Sequence, residues 1–364
     1  QFIFPVGQEK WLLDMVGLAT MSDMVPLTGE NRVFAHFGLT VLRKSPRIGL
    51  GQLLQELRIN RRELNEDDIG FSISPRINAA SRMGVPMDAF KLFATTDMAE
   101  AGALAKHLNR INDERKGKVA SLVKEVRKIV AERHPSTHSG QAAPTVVVAG
   151  NPNWRPALLG LVANALVEDY AKPVFVWGRE GGEELKGSCR SGGGVDVTAL
   201  MQEARSVFTD FGGHKEAGGF SVVLEKVHLM EAELERAYEL VRTAVNTSPK
   251  YLVDARMRLE EANRDTWQEI NQLAPFGVGN PKPLFLFEQV VIGKVEIFGK
   301  QKQHLKLTFE KKSGEKISAV RFFTKPDDFS VPLVSGERIN LLAHLEKSTF
   351  RDITELRLRI VDIV

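Results

Sequence analysis

Thr145-Val146-Val147-Val148-Ala149 is a short apolar run of mostly β-branched residues, and it follows a polar, proline-containing stretch at 134–141. A run of that composition and length favours a buried strand over a helix. Working forward from it, apolar spacing predicts a helix over 157–170, strands over 174–177 and 185–189, and a helix over 197–205. A glycine-rich loop over 211–219, a strand over 220–223 and a helix over 227–246 complete this part. Strands alternating with helices indicate an α/β layer architecture.

Working backward, 9–21 and 31–43 place apolar residues at helical spacing, and a further helix is expected over 50–57. Between Asp97 and Arg133 there is no proline and only two glycines. Leu104, Leu108, Ile111, Val119, Leu122, Val126 and Ile129 recur there with charged residues between them. That predicts one long amphipathic helix, N-capped by Thr96 or Asp97. After Ser248-Pro249 short strands dominate, over 284–287, 290–298, 304–310, 317–323, 339–345 and 355–362. Charged and glycine-containing turns separate them, as in a small β-barrel or sandwich.

The 364 residues allow two or three domains. No apolar run reaches the roughly 20 residues of a membrane-spanning helix, which excludes that class. Cys189 is the sole cysteine, so no internal disulfide can form and no cysteine-rich zinc module fits. A reducing, cytoplasmic setting suits it. With 49 Lys and Arg against 46 Asp and Glu, the net charge is +3 and any basic surface must be local.

Four clusters and one lone carboxylate carry candidate chemistry. Phe211-Gly212-Gly213-His214-Lys215-Glu216-Ala217-Gly218-Gly219 would let backbone N–H groups approach an anion closely, with His214 and Lys215 adding donors; a tight loop with an incidental His fits as well. In Lys186-Gly187-Ser188-Cys189-Arg190-Ser191, strand alternation puts Ser188 and Arg190 on one face, a pairing suited to a terminal phosphate, and Cys189 on the other as core filler. A glycine turn with a solvated Arg is the plainer alternative. Arg76, Asn78 and Arg82 stand among small residues that would admit a phosphodiester backbone, or else they are structural. Lys294, Lys300, Lys302, Lys306, Lys311 and Lys312 interleave with Phe298, His304 and Phe309, which either form a single-strand-binding surface or put their rings in a core. Asp23, before Val25-Pro26, offers an oxygen ligand for a hard divalent cation, but spacing shows no companion cluster.

Taken in order, Ala19-Thr20-Met21-Ser22-Asp23-Met24-Val25-Pro26-Leu27, Pro75-Arg76-Ile77-Asn78-Ala79-Ala80-Ser81-Arg82, Ser188-Cys189-Arg190-Ser191, the Gly212–Gly219 run and Pro275-Phe276-Gly277-Val278-Gly279-Asn280-Pro281 resemble the RecJ-type single-strand-specific exonucleases of the DHH phosphoesterase superfamily. The resemblance implies the C-terminal part of a DHH domain over 1–96, a long connecting helix over 97–134, a linker over 135–144, an α/β DHH-associated domain over 145–248 and an OB-fold barrel over 249–364. It implies 5′→3′ hydrolysis of single-stranded DNA in repair and recombination with Mn²⁺ or Mg²⁺. Single-strand-binding protein or a helicase would be the protein partners. Asp23 would be a metal-ligating and catalytic aspartate, and His214 a catalytic residue. Ser188 and Arg190 would hold a 5′ phosphate, Gly212 and Gly213 would line the phosphate side, and Arg76, Asn78 and Arg82 would follow the DNA path. Lys300, Lys302 and Lys306 would grip DNA from the barrel.

The chain departs from the family pattern in having no Asp-His-His and no matching Asp-x-Asp, the motifs that carry most of the metal ligands. Ser81 stands where Gly is usual, and Asn153-Trp154-Arg155-Pro156-Ala157 lacks a His often found there. With its start at Gln1 directly before a helical pattern, the expectation is an N-terminally incomplete chain that binds single-stranded DNA without cutting it. The alternatives are a non-catalytic DNA-binding subunit or scaffold, and a DHH-type phosphodiesterase acting on oligonucleotides or cyclic dinucleotides.

Overall fold

A computed structural model describes residues 7–134, 144–179, 184–242, 251–299, 302–350 and 353–364. The expected linker and Lys300 therefore lie outside the described residues, apart from Pro144. In chain order the helices α1 to α7 are Leu13–Ser22, Gly29–Leu42, Ile48–Glu56, Glu66–Asp68, Ser74–Arg82, Pro86–Ala94 and Met98–Arg133. Next come β1 Val147–Gly150, α8 Pro156–Tyr170, β2 Val174–Gly178, β3 Leu185–Arg190 and α9 Val197–Glu203. They are followed by β4 Asp210–His214, β5 Ala217–Val222, α10 Met230–Val241, β6 Ala255–Arg256 and α11 Arg264–Asn271. Strands β7 to β11 are Phe285–Phe298, His304–Glu310, Lys316–Arg321, Arg338–Phe350 and Ile353–Ile363.

These elements fall into two compact units. One holds Gln1–Ser45, Arg61–Gly70 and Pro249–Val364; the other holds Pro46–Asn60 and Phe71–Ser248.

In the second unit, α7 runs 36 residues, about 54 Å at 1.5 Å per residue. Asp97 caps it by accepting from the Glu100 N–H at 2.7 Å. Its N-terminal half packs on α3, α5 and α6. Val123, Val126 and Val130 in its C-terminal half join Val147, Leu159, Val162 and Val176 in one buried cluster. The sheet runs β1-β2-β3-β5-β4, with β1 parallel to β2 and the remaining pairs antiparallel. The glycine-rich segment, expected as a loop, is instead the hairpin β4–β5, with Gly212 opposite Gly219 and Gly213 opposite Gly218. Glycine has weak strand propensity, so the pairing and not the local residues makes it a strand. Pro75 heads a helix, α5, which pattern reading did not assign.

In the first unit, α1 and α2 pack where Gly17 meets Gly38. A methyl added at Gly17 would come within 2.5 Å of the Gly38 Cα, so only glycine permits that approach. Buried Asp14 accepts from the Ser45 hydroxyl at 2.6 Å. The five strands β7–β8–β9–β11–β10 close on themselves through the β10–β7 pairing, with β6 beside β7. The expected barrel is present, although 284–287 and 290–298 form one strand in place of two, kinked where Gln289 takes φ +52. Leu305, Leu307, Phe309, Ile317, Ala319, Leu358 and Ile360 fill its core.

Candidate nucleic-acid interface

The sheet register sorts the second unit's residues onto two faces. Cys189 lies opposite Phe175 and Gly218 and joins the core beneath α9 and α10. Burial pushes its thiol up to about 12, so it is no nucleophile at neutral pH. Ser188 and Arg190 point the other way, toward the first turns of α8. A methyl built on Gly160 would lie 2.8 Å from the Arg190 Nη2 and 3.7 Å from the Ser188 Oγ. Glycine at 160 thus leaves room for the guanidinium.

On this same face two cross-strand rows run outward. Ser188 pairs with Gly219, which pairs with Gly212; Arg190 pairs with Ala217, which pairs with His214. The first row ends in bare backbone, and a methyl at Gly212 would meet nothing within 4 Å. Internal packing does not demand glycine there. Gly213 belongs to the opposite face, where a methyl would strike the Ala217 carbonyl at 2.3 Å. His214 is exposed, and its Nδ1 accepts from the Glu216 N–H at 3.3 Å. The result is an open, side-chain-poor shelf beside a hydroxyl, a guanidinium and an imidazole.

More guanidinium groups adjoin it. Arg82 on α5 donates Nη1–H to the Ala157 carbonyl at 2.9 Å, inside the first turn of α8. Arg76, one end of α5 away, is held by the Asn109 amide oxygen at 3.1 and 3.2 Å and by the Ser72 carbonyl at 2.9 Å. Asn78 is exposed. Arg115, six positions beyond Asn109 on α7, which packs on α5, lies close enough to Arg82 and Arg76 to feel both charges. Burial depresses the Arg115 pKa first, and the charges of Arg82 and Arg76 add to it. Burial also depresses Arg190, with the Cys189 thiolate form opposing and Arg82 reinforcing. Burial depresses Arg76 too, partly offset by Asp113. All remain charged, because guanidinium does not deprotonate in proteins. Like charges gathered in partly dry surroundings are costly until an anion arrives.

Sequence reasoning missed Arg115. Its signal was present: Leu108, Asn112, Arg115, Val119 and Leu122 follow the helical stripe, and two polar residues occupy apolar slots. Asn112 is fully buried with both amide atoms unpaired, and the Arg115 Nε is buried and unpaired too.

On the barrel, His304 and Lys306 alternate with core-facing Leu305 and Leu307 along β8. Lys302 is exposed in the preceding turn with φ +50. Lys306 lies opposite Glu296 and Val320, and Arg359 lies beside Val320 on the other side. The interleaved basic stripe read from sequence is only partly a surface. Phe309 is in the core, Lys311 is buried against Glu315 at 2.9 Å and the Ala262 carbonyl at 3.0 Å, and Lys294 is paired with Glu296 at 2.9 Å.

Asp23 is the exposed C-cap of α1. Among the described residues no three His, Cys, Asp or Glu side chains gather where one ion could bind them. The donor set here does not fit a catalytic Mn²⁺ or Mg²⁺ pair, which needs several oxygen ligands.

The DHHA1 domain family matches residues 143–246, and the RecJ OB domain family matches 253–362. The single-stranded-DNA-specific exonuclease RecJ of Bacillus subtilis is 30% identical over 96% of this chain and 44% of its own length. The protein of that name from Haemophilus influenzae is 28% identical over 97% of this chain and 61% of its own. The chain thus spans about half the length of these curated relatives. The crystal structure of RecJ with Mg²⁺ from Thermus thermophilus superposes with a TM-score of 0.77 at 24% identity, over 97% of this chain and 52% of that one, a likeness of fold. A structure of exonuclease RecJ bound to manganese gives 0.51 at 29% identity, over 64% of this chain and 56% of that one. The chain carries a DHHA1 domain followed by a RecJ OB domain, and it is RecJ-like in sequence along nearly its whole length.

Proposed function

We propose that this chain is the strand-gripping portion of a RecJ-type 5′→3′ exonuclease specific for single-stranded DNA, acting in repair and recombination. The observation that supports it most is the shelf on which Ser188 and Arg190 face Gly160 beside the bare Gly212 and Gly219 backbone. A 5′-terminal phosphate would accept from the Arg190 guanidinium and the Ser188 hydroxyl. The glycine backbone would let the sugar-phosphate chain lie close, His214 would reach the terminal nucleotide, and Arg76, Asn78 and Arg82 would track the phosphates that follow. Lys302 and Lys306, with Lys300, would hold the strand on the barrel. These residues bind and orient; none is given a bond-breaking step.

Relatives of known structure carry Mg²⁺ or Mn²⁺, and a hard cation is the cofactor proposed for the whole enzyme. Asp23 would contribute at most one ligand, and His214 is proposed to orient and not to ligate. The linear parts keep the order given above, with DHH-derived residues to 96, the connecting helix to 134, the linker to 144, the DHH-associated domain to 248 and the OB barrel beyond. Single-strand-binding protein or a helicase would supply the substrate, in the cytoplasm. No helix among the described residues is long and apolar enough to cross a membrane.

The test compares 5′-phosphorylated with 5′-hydroxyl single strands. The chain should bind the phosphorylated strand more tightly, and Arg190→Ala should abolish that preference while general affinity persists. An unchanged preference removes the end-binding assignment. Robust Mn²⁺-dependent cleavage by this chain alone would overturn the division between gripping and cutting.

A further inference from the structure

Phe323 sits in the turn after β9, 78% exposed, and its backbone is left-handed at φ +53. Bulky residues rarely adopt that conformation, whereas glycine or asparagine would do so at less cost. The turn is nevertheless held. The Phe323 N–H donates to the His304 Nδ1 at 3.0 Å, and the Thr324 N–H donates to the Gln303 carbonyl at 3.0 Å. The His304 and Phe323 rings meet edge to face, 4.9 Å between centroids and 90° between planes. His304 in turn contacts Phe298 and Phe322, both at 5.1 Å. Over Phe322 lies the Arg359 guanidinium, 4.3 Å from the ring centroid.

Packing explains Phe298 and Phe322, which are half-buried, but not Phe323, whose ring faces water. A strained, exposed aromatic fixed by a neighbour is the form a built contact takes. It adjoins the outward faces of β8 and β9, the second and third strands of the barrel, where OB folds take oligonucleotides. Lys306 on β8 and Arg359 on β11, in one cross-strand row through Val320, supply positive charge. We infer that Phe323 is a stacking platform for one unpaired nucleobase, and that His304 is a positioning residue that fixes its turn through Nδ1. The inference rests on the proposal that this barrel holds single-stranded DNA, and it adds a base-contacting residue to a surface otherwise assigned only phosphate contacts.

Because base–aromatic stacking is largely sequence-blind, the site would take any base. The experiment measures binding of the intact chain to a fluorescent oligothymidylate by anisotropy. Phe323→Ala should weaken binding about 5- to 100-fold with the slope of log K against log salt unchanged, since a ring carries no charge. Phe323→Trp should retain affinity, and its emission should be quenched on binding. An abasic site moved along the strand should weaken the unaltered chain at one position and leave Phe323→Ala indifferent to it. His304→Ala should share the loss, and His304→Asn, which keeps an acceptor, should recover most of it. Binding by Phe323→Ala within twofold of the unaltered chain overturns the platform. Loss in both His304 variants, with no recovery in Asn, removes the positioning role. Should the unaltered chain fail to bind the strand at all, the proposed function falls first. Binding that responds to Lys306→Ala but not to Phe323→Ala sinks this inference alone.

Discussion

At the scale of single residues, Arg115 shows most clearly a side chain whose placement makes little sense for the fold alone. Its Nε is buried without a partner, a desolvation cost of about 1–3 kcal/mol. The nearby Arg82 and Arg76 charges add to that cost. A methionine would fill the same volume in the stripe of α7 without either penalty. Arg115→Met should therefore leave the DNA-free chain equally or more resistant to urea. The same change should weaken single-strand binding about tenfold, the scale of one charge-assisted contact, and lower the salt slope by about 0.7. The loss should be equal for 5′-phosphorylated and 5′-hydroxyl strands, because Arg115 neighbours Arg82 and Arg76, which are proposed to follow the strand away from its 5′ end. Urea titration and anisotropy check both halves. A chain that becomes less stable and binds normally would make Arg115 structural.

At the scale of elements, the hairpin β4–β5 separates two glycines that sequence treats alike. Gly213 is demanded by its own fold, since a methyl would strike the Ala217 carbonyl at 2.3 Å. Gly212 is not, since nothing lies within 4 Å of such a methyl, and that open space is where the proposed strand would lie. Gly213→Ala should destabilise the chain by about 1–3 kcal/mol. Gly212→Val should unfold at nearly the same urea concentration yet lose single-strand affinity, because its isopropyl group would stand on the shelf beside Gly219, in the row that leads to Ser188. Unaltered binding by Gly212→Val would show that the shelf is vacant in function. Period-two alternation was enough to place Ser188 and Arg190 on one face and Cys189 in the core. It could not place Gly212 in the row of Ser188, because that fact belongs to the β3–β5–β4 register, and glycines carry no hydrophobic pattern from which register could be read. The long helix was legible for the opposite reason: 36 residues of apolar periodicity and an Asp97 cap are local signals.

At the scale of the whole molecule, the near-balance of 49 cationic and 46 anionic side chains conceals two separate concentrations of positive charge. One comprises Arg76, Arg82, Arg115 and Arg190 in the unit with the mixed sheet; the other comprises Lys302, Lys306 and Arg359 on the barrel. Net charge could not reveal either, and neither could the pattern of short strands reveal barrel closure, which depends on the pairing of β10 with β7 across an intervening stretch of chain. If both units hold one strand, the second contact is intramolecular and adds affinity through effective concentration. A strand of about four nucleotides, the lower limit of an OB site, should then be held by one unit at a time, and a strand several times longer by both. The salt slope, about 0.7 per phosphate neutralised, should be steeper for the long strand. Replacing Lys302 and Lys306 together by alanine should flatten it for the long strand while leaving the 5′-phosphate preference of the short one intact, since that preference is proposed to rest on Arg190. Equal slopes for short and long strands would mean that a single unit grips DNA, and the response to the Lys302/Lys306 and Arg190 substitutions would say which.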